Sequence, residues 1–232
     1  MDEFSQYPNV LGFSVGNEVW LQPSKVDENY LRPSPTMKAL IRDMKAYIKA
    51  SSNLKYKLPV GIVLRDTPDV TIPLAYYYAC HLPEEAQDTS ADFIGYNVYR
   101  WGAGSDPGSY PSLLKTYIGY KPVLPGGNGD SQSNGFAGIN VPVILTEFGR
   151  IDSPRLFAQV DWMFNNGAKV VSGGMVFRLI QRPNEGNFGL YTDQTLQTPT
   201  TNGGLSNLIA EFNGTPQLSL DADAIAVKKN HL

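Results

Sequence analysis

The 232-residue sequence has few of the residues on which most metal and cofactor sites depend. Its single cysteine, Cys80, excludes an internal disulfide and a cysteine-based zinc site. With only two histidines, His81 and His231, a histidine-rich metal centre is not expected, and a Ser-His-Asp triad would depend on His81. Neither a GxGxxG nor a GxxxxGK[ST] motif occurs, so the common phosphate-binding loops of nucleotide enzymes are absent from the sequence.

Charge and long apolar runs are also scarce. Charged residues make up 18% of the chain, below the roughly 25% of an average protein. The 19 Lys and Arg against 22 Asp and Glu give a net charge of −3, which argues against nucleic-acid binding. No run of about 18 apolar residues is present, so we expect no membrane-spanning segment. The first residues lack an apolar signal-peptide core and the last ones lack a hydrophobic anchor.

Short apolar runs alternate with amphipathic stretches along the chain. Strands are predicted at residues 10–15, 59–64, 93–99, 141–146 and 169–177, and helices at 36–50, around 74–78, near 113–118, at 154–165 and at 205–212. Continuous Val, Ile and Leu runs separated by helices are typical of parallel strands buried on both faces. The pattern predicts an α/β fold, and either a (β/α)8 barrel or a doubly wound sheet fits it.

Two glutamates occur where predicted strands end. Glu18 follows Asn17 after the first strand, and Glu147 follows Thr146 of the fourth. The carboxyl ends of parallel strands form the active-site face of such folds. Two carboxylates on that face can cleave a glycosidic bond, one as general acid/base and the other as nucleophile or as the base that activates water. The alternative for each glutamate is a helix cap or a solvated turn.

Aromatic residues lie in or beside the predicted loops of the same face. They are Trp20, Tyr99, Trp101, Tyr110 and Phe188. Sugar rings stack on aromatic side chains, so this placement favours a carbohydrate cleft, with core packing as the alternative for each residue. A segment rich in Gly, Asn and Ser at 126–138 is predicted to be a flexible surface loop, or alternatively a lid over the cleft.

Six segments carry a resemblance to a known family. LGFSVGNEV at 11–19 resembles the fourth-strand motif of the retaining (β/α)8-barrel glycosidases, and VILTEFG at 143–149 resembles their seventh-strand nucleophile motif. Four further segments are similar more narrowly to glycoside hydrolase family 72, the β-1,3-glucanosyltransferases. They are KALIRDMKAYI at 38–48, PVGIVLRD at 59–66, ADFIGYNVYRWG at 91–102 and VSGGMVFRLIQRPNEGNFGLY at 171–191. The resemblance covers roughly residues 4–212 in the family's order.

The resemblance implies roles for particular residues. Glu18 would be the acid/base and Glu147 the nucleophile, with their carboxyl groups about 5–5.5 Å apart as retention requires. The residues that would bind the substrate are Asn17, Tyr99, Trp101 and Phe177. Asn17 would bond the sugar 2-hydroxyl, and Tyr99 would also orient Glu147. The ligand would be β-1,3-glucan, and no metal or organic cofactor is implied.

The implied activity is retaining transfer. An internal β-1,3-glucosidic bond is cleaved, and the glycosyl-enzyme intermediate passes to another glucan, which remodels cell-wall glucan. Two alternatives stay open: a β-glucan hydrolase of the same clan, and a non-catalytic glucan-binding remnant or piece of a longer enzyme. The family is extracellular or at the cell surface and often lipid-anchored. No oligomeric state is implied.

The sequence also departs from the family pattern. We expect a partial (β/α)8 barrel with strands four to eight, because the first three β/α units have no counterpart before residue 10. Residues 1–212 would form the catalytic domain and 213–232 a C-terminal extension. The family's cysteines are replaced by Gly102 and Arg150, which leaves Cys80 without a partner. In the last strand, Phe177 lacks a tyrosine hydroxyl and Arg178 reverses a charge beside the cleft.

Overall fold

The computed structural model describes residues 1–19, 32–81, 84, 88–99, 139–151, 155–164 and 170–214. Its elements, in chain order, are a 3-10 helix at Phe4–Gln6, β1 (Phe13–Asn17), α1 (Ser34–Ala50), β2 (Val60–Arg65), α2 (Pro68–Ala79), β3 (Phe93–Val98), β4 (Val143–Phe148), α3 (Gln159–Trp162), β5 (Gly174–Val176) and α4 (Gly204–Gly214). The predicted helix near 113–118 and the Gly-rich segment at 126–138 lie outside the described residues.

The five strands form one parallel sheet in the order β1-β2-β3-β4-β5. Each strand lies beside the next strand in the chain, so the sheet has no point at which the strand order reverses. A doubly wound sheet requires such a reversal, whereas a barrel wall is built by adding each new strand to the same edge. The strand order therefore decides between the two architectures left open above, in favour of the barrel wall.

The core lies at the centre of this sheet and beneath its helices. Every residue of β3 is buried, as are the first five of the six residues of β2. On α1 the buried residues recur at helical spacing, at Ser34, Lys38, Ile41 and Ile48. Lys38 ties α1 to the end of α2, because its ammonium donates to the carbonyls of Tyr77 at 2.9 Å and Cys80 at 2.8 Å. Among the described residues no helix is long and apolar enough to cross a bilayer.

Several predicted boundaries were wrong. Both β1 and β4 continue two residues past the predicted ends, so Asn17 is the last residue of β1 and Glu147 lies inside β4. Within the described part of the predicted last strand, only Gly174–Val176 forms β5, and the predicted helix at 154–165 begins only at Gln159. The helix cannot begin earlier because Phe157 has a φ of +55°, which is incompatible with a right-handed helix.

Candidate active site

Asn17 and Glu18 mark the point where the chain leaves β1. The amide of Glu18 donates to the carbonyl of Val63 at 3.0 Å, so this residue is still anchored to β2. Its φ is +52°, a left-handed conformation that is uncommon for a residue with a side chain and that clusters at functional sites. The sharp turn thus occurs at the glutamate itself, while Asn17 keeps the extended backbone of the strand.

Asn97 connects the ends of three strands. It lies in β3, is 1% exposed, and is paired in register with Glu147 of β4. Its amide nitrogen donates to Oδ1 of Asn17 at 3.0 Å and to Oε1 of Glu18 at 2.9 Å. Its amide oxygen accepts a hydrogen bond from Oγ1 of Thr146 at 2.8 Å. Because both ends of the amide are engaged, its orientation toward Glu18 is held from β4.

A glycine makes room for this network. A Cβ atom at Gly95 would lie 2.7 Å from Cγ2 of Thr146 and 2.8 Å from Cγ2 of Val63, closer than real Cβ contacts. The absence of a side chain at Gly95 therefore lets Thr146 lie across β3, where its hydroxyl reaches Asn97.

Tyr99, directly after β3, connects the second glutamate to an aromatic cluster. Its hydroxyl donates to Oε2 of Glu147. Its ring contacts Phe177 and Phe188 edge to face, with centroids 5.8 Å and 5.5 Å away, and the two phenylalanine rings lie 5.3 Å from each other. We call Tyr99, Phe177 and Phe188 the aromatic cluster. The cluster holds the tyrosine ring from two sides, so its hydroxyl has a defined position beside Glu147.

Both glutamates act on the Tyr99 hydroxyl. Burial is the largest of the effects that raise its pKa far above the usual range, followed by the hydrogen bond to Glu147 and the negative charges of Glu147 and Glu18. The positive charge of Arg178 opposes them. The hydroxyl therefore keeps its proton at physiological pH and acts only as a donor to Glu147. The two glutamates also share a neighbour, because Asn97 donates to Glu18 and is paired in register with Glu147.

Phe177 and Arg178 form the side of the site next to β5. The Arg178 guanidinium lies 4.2 Å from the centre of the Phe177 ring and forms an ion pair with Glu185. The positive charge that departs from the family pattern is therefore balanced within the chain. An open pocket adjoins these residues and is lined by Phe177, Arg178, Ile180, Gln181, Arg182 and Gln194.

Five of the six predicted site residues are described, and each belongs to this connected region. They are Asn17, Glu18, Tyr99, Glu147 and Phe177. Trp101 lies outside the described residues, as do Trp20 and Tyr110. Asn97 and Thr146 were not predicted as site residues. The signal for Asn97 was a polar side chain inside an apolar strand, two positions before Tyr99 and thus on the same face of the strand.

Comparison with known proteins identifies the family of the chain. The family model of glycoside hydrolase family 72, described as glucanosyltransferase, matches residues 1–213. The chain belongs to this family. The resemblance inferred from the six sequence segments is thereby confirmed.

Named family relatives are similar over most of the chain. Protein EPD1 of Candida maltosa is 33% identical over 98% of the chain, and a 1,3-beta-glucanosyltransferase of Arthroderma benhamiae is 35% identical over 92%. The chain spans about a third of the length of these curated relatives, 35% and 32% respectively.

A solved structure of the same family has the same fold. Saccharomyces cerevisiae Gas2p in complex with laminaritriose and laminaritetraose superposes with a TM-score of 0.72 at 28% identity, covering 97% of this chain and 45% of that one. This likeness confirms the α/β architecture as part of a (β/α)8 barrel.

Proposed function

We propose that this chain carries the site of a retaining β-1,3-glucan glucanosyltransferase. The observation that carries the proposal is the convergence of Glu18 and Glu147 at one edge of the sheet, where Asn97 is paired in register with Glu147 and donates to Glu18. Relatives named 1,3-beta-glucanosyltransferase and Gas2p structures that hold laminari-oligosaccharides support β-1,3-glucan as the substrate. We assign the catalytic unit to residues 1–212, followed by a C-terminal extension at 213–232.

The first step forms a glycosyl-enzyme bond. A carboxylate oxygen of Glu147 attacks the anomeric carbon of an internal glucose while the bond to the leaving glucan oxygen breaks, and Glu18 gives that oxygen a proton. Because Tyr99 donates to Oε2 of Glu147, we assign the attack to Oε1. Asn17 is proposed to bond the sugar 2-hydroxyl, an interaction that strengthens as positive charge develops at the anomeric carbon.

The second step returns the enzyme to its starting state. The ionised Glu18 removes a proton from the hydroxyl of an acceptor glucan, and that oxygen attacks the anomeric carbon and displaces Glu147. Two inversions at one carbon leave the new bond in the β configuration. Asn97 would hold the Glu18 carboxylate in place through both proton transfers. When water takes the place of the acceptor, the same steps hydrolyse the glucan.

Product analysis tests the transfer reaction. We expect the purified chain, incubated with a laminari-oligosaccharide labelled at its reducing end, to yield both shorter products and products longer than the donor. Chromatography with mass detection measures the lengths, and proton NMR of the new linkage should show the β configuration.

The alternatives give different products. Exclusively shorter β products would favour a hydrolase of the same clan and would overturn the transferase assignment. A chain whose product profile equals that of its Glu147→Gln variant would be non-catalytic, and the enzyme assignment would fail.

The hydroxyl of Tyr99 gives a further prediction. In Tyr99→Phe the ring still fills the aromatic cluster, but Glu147 loses a charge-assisted donor. We expect kcat to fall by about 10–100-fold with KM changed less than about threefold, because the nucleophile is less precisely held. Initial rates on laminari-oligosaccharides measure both constants.

Tyr96 supplies the matched control for this substitution. It lies in β3, three positions before Tyr99, is fully buried, and its hydroxyl donates to Asp66 instead of Glu147. Tyr96→Phe should leave kcat unchanged apart from any loss of folded protein, which thermal unfolding measures. Equal kcat values for the two variants would contradict the role given to Tyr99.

A further inference from the structure

Arg155 is a buried cation that the mechanism above does not use. Its side chain is 2% exposed, and burial lowers the pKa of its guanidinium to about 10, which still leaves it charged at neutral pH. Its hydrogen bonds go to four backbone carbonyls: Nε to Arg150 at 2.9 Å, Nη1 to Phe188 at 2.6 Å, and Nη2 to Phe177 at 3.0 Å and Gly149 at 3.4 Å.

These carbonyls belong to three segments that surround the nucleophile. Gly149 and Arg150 directly follow β4, which carries Glu147. Phe177 directly follows β5, and Phe188 lies on the segment beyond it. The guanidinium also lies 5.9 Å from the centre of the Phe188 ring. Arg155 therefore fixes the backbone of both phenylalanines of the aromatic cluster and the point where β4 ends.

The chemistry of this contact is specific to arginine. Burying a charge costs free energy, and among the described residues no carboxylate is paired with Arg155 to offset that cost. Within the described part of the chain, the four carbonyl dipoles and the rings of Phe157 and Phe188 surround the guanidinium instead. Its planar fork can reach carbonyls in several directions at once, whereas a lysine ammonium on a flexible stem cannot hold the same spacing.

We propose that Arg155 is a positioning residue for the nucleophile. It holds Phe177 and Phe188 against the Tyr99 ring and thereby fixes the place from which the Tyr99 hydroxyl donates to Glu147. This inference rests on the proposed function, because that function is what makes Glu147 the nucleophile. The geometric part, that Arg155 determines the surroundings of Tyr99, can be tested without any turnover.

The test compares two buried cations. Arg155→Lys keeps the positive charge but loses the fork, and Arg155→Gln serves if the lysine variant does not fold. Lys38→Met is the matched control, because Lys38 is 8% exposed and also donates to two backbone carbonyls, those of Tyr77 and Cys80 at the end of α2. We expect substitution of either cation to lower the stability of the fold. Thermal unfolding of all variants measures this loss.

The kinetic constants should distinguish the Arg155 variant from the Lys38 variant. We expect Arg155→Lys to lower kcat on laminari-oligosaccharides by about 10–100-fold with KM changed less than about threefold, since a nucleophile displaced by about 1 Å loses reactivity and not substrate affinity. Lys38→Met should retain the kcat of the wild-type chain. A kcat of Arg155→Lys equal to that of Lys38→Met would overturn the inference.

A readout that needs no activity is the titration of Tyr99. Tyrosine labelled with carbon-13 at Cζ gives one NMR signal per ring, and the Tyr99 signal is the one lost in Tyr99→Phe. In the wild-type chain it should stay protonated at alkaline pH, while in Arg155→Lys it should ionise closer to the ordinary value of about 10. A Tyr99 titration unchanged by Arg155→Lys would overturn the inference. Inactivity of the wild-type chain would overturn only the proposed function.

Discussion

Glu147→Gln should lower the rate of glucan cleavage by on the order of 10⁴-fold, because no covalent intermediate can form without the carboxylate. Glutamine has nearly the same shape and can still accept the Tyr99 hydrogen bond through its amide oxygen, so the fold and the aromatic cluster should be retained. The loss should be the same for a natural laminari-oligosaccharide and for one that carries a dinitrophenyl leaving group, since both need the nucleophile. Initial rates with the two donors measure it.

Glu18→Gln is the matched control, the same substitution at the other carboxylate. It should lower the rate on the natural donor by about 10²–10⁴-fold, the range for loss of a general acid. With the dinitrophenyl donor, whose leaving group departs without a proton, formation of the glycosyl-enzyme should be nearly as fast as in the wild-type chain. If Glu147→Gln regained activity with that donor and Glu18→Gln did not, the two roles would be exchanged.

Much of the fold could be predicted because the sheet has a simple sequence signature. Strands buried on both faces are continuous apolar runs, and β2 and β3 follow this pattern almost residue by residue. The strand ends were less predictable. Glu147 was predicted to lie just beyond the strand at 141–146, yet it remains in β4, where it is paired in register with Asn97 and accepts a hydrogen bond from Tyr99.

The first residues of the predicted helix at 154–165 are not helical, for a reason that lies in tertiary structure. Apolar spacing alone favoured a helix through Phe157, but the backbone at Arg155 donates to the carbonyl of Asn202, and the Arg155 side chain enters the core beside the site. Those long-range bonds hold the chain away from helical geometry before α3 begins. Local periodicity carries no information about such contacts.

The two glutamates could be predicted from the sequence, whereas the groups that hold them could not. Glu18 and Glu147 stand at predicted strand ends, where the chemistry of a parallel sheet is expected. Asn97 gave a weak signal, and its three partners depend on the strand register and on the space left by Gly95. The position of Tyr99 between Phe177 and Phe188 depends on segments about 80–90 residues apart in the chain.

Asn97→Asp is expected to have the largest effect after the substitutions of the two glutamates themselves. The substitution keeps the size of the side chain and an oxygen that can accept from Thr146, but it places a carboxylate 2.9 Å from Oε1 of Glu18 where an amide now donates. Two carboxylates at this distance repel each other, so the acid/base loses its position. We expect kcat on natural laminari-oligosaccharides to fall by about 10²–10³-fold, within the range for general acid catalysis.

The leaving group identifies which half of the site is damaged. Because Asn97 touches Glu18 and Tyr99 touches Glu147, the dinitrophenyl donor should restore glycosyl-enzyme formation in Asn97→Asp but not in Tyr99→Phe. Thr146→Val, which removes only the bond that orients the Asn97 amide, should lose about 10-fold, near the worth of one hydrogen bond. Equal impairment of Asn97→Asp with both donors would mean that the substitution also disturbs Glu147. In that case Asn97 would not support the acid/base alone, and the separation of its role from that of Tyr99 would be wrong.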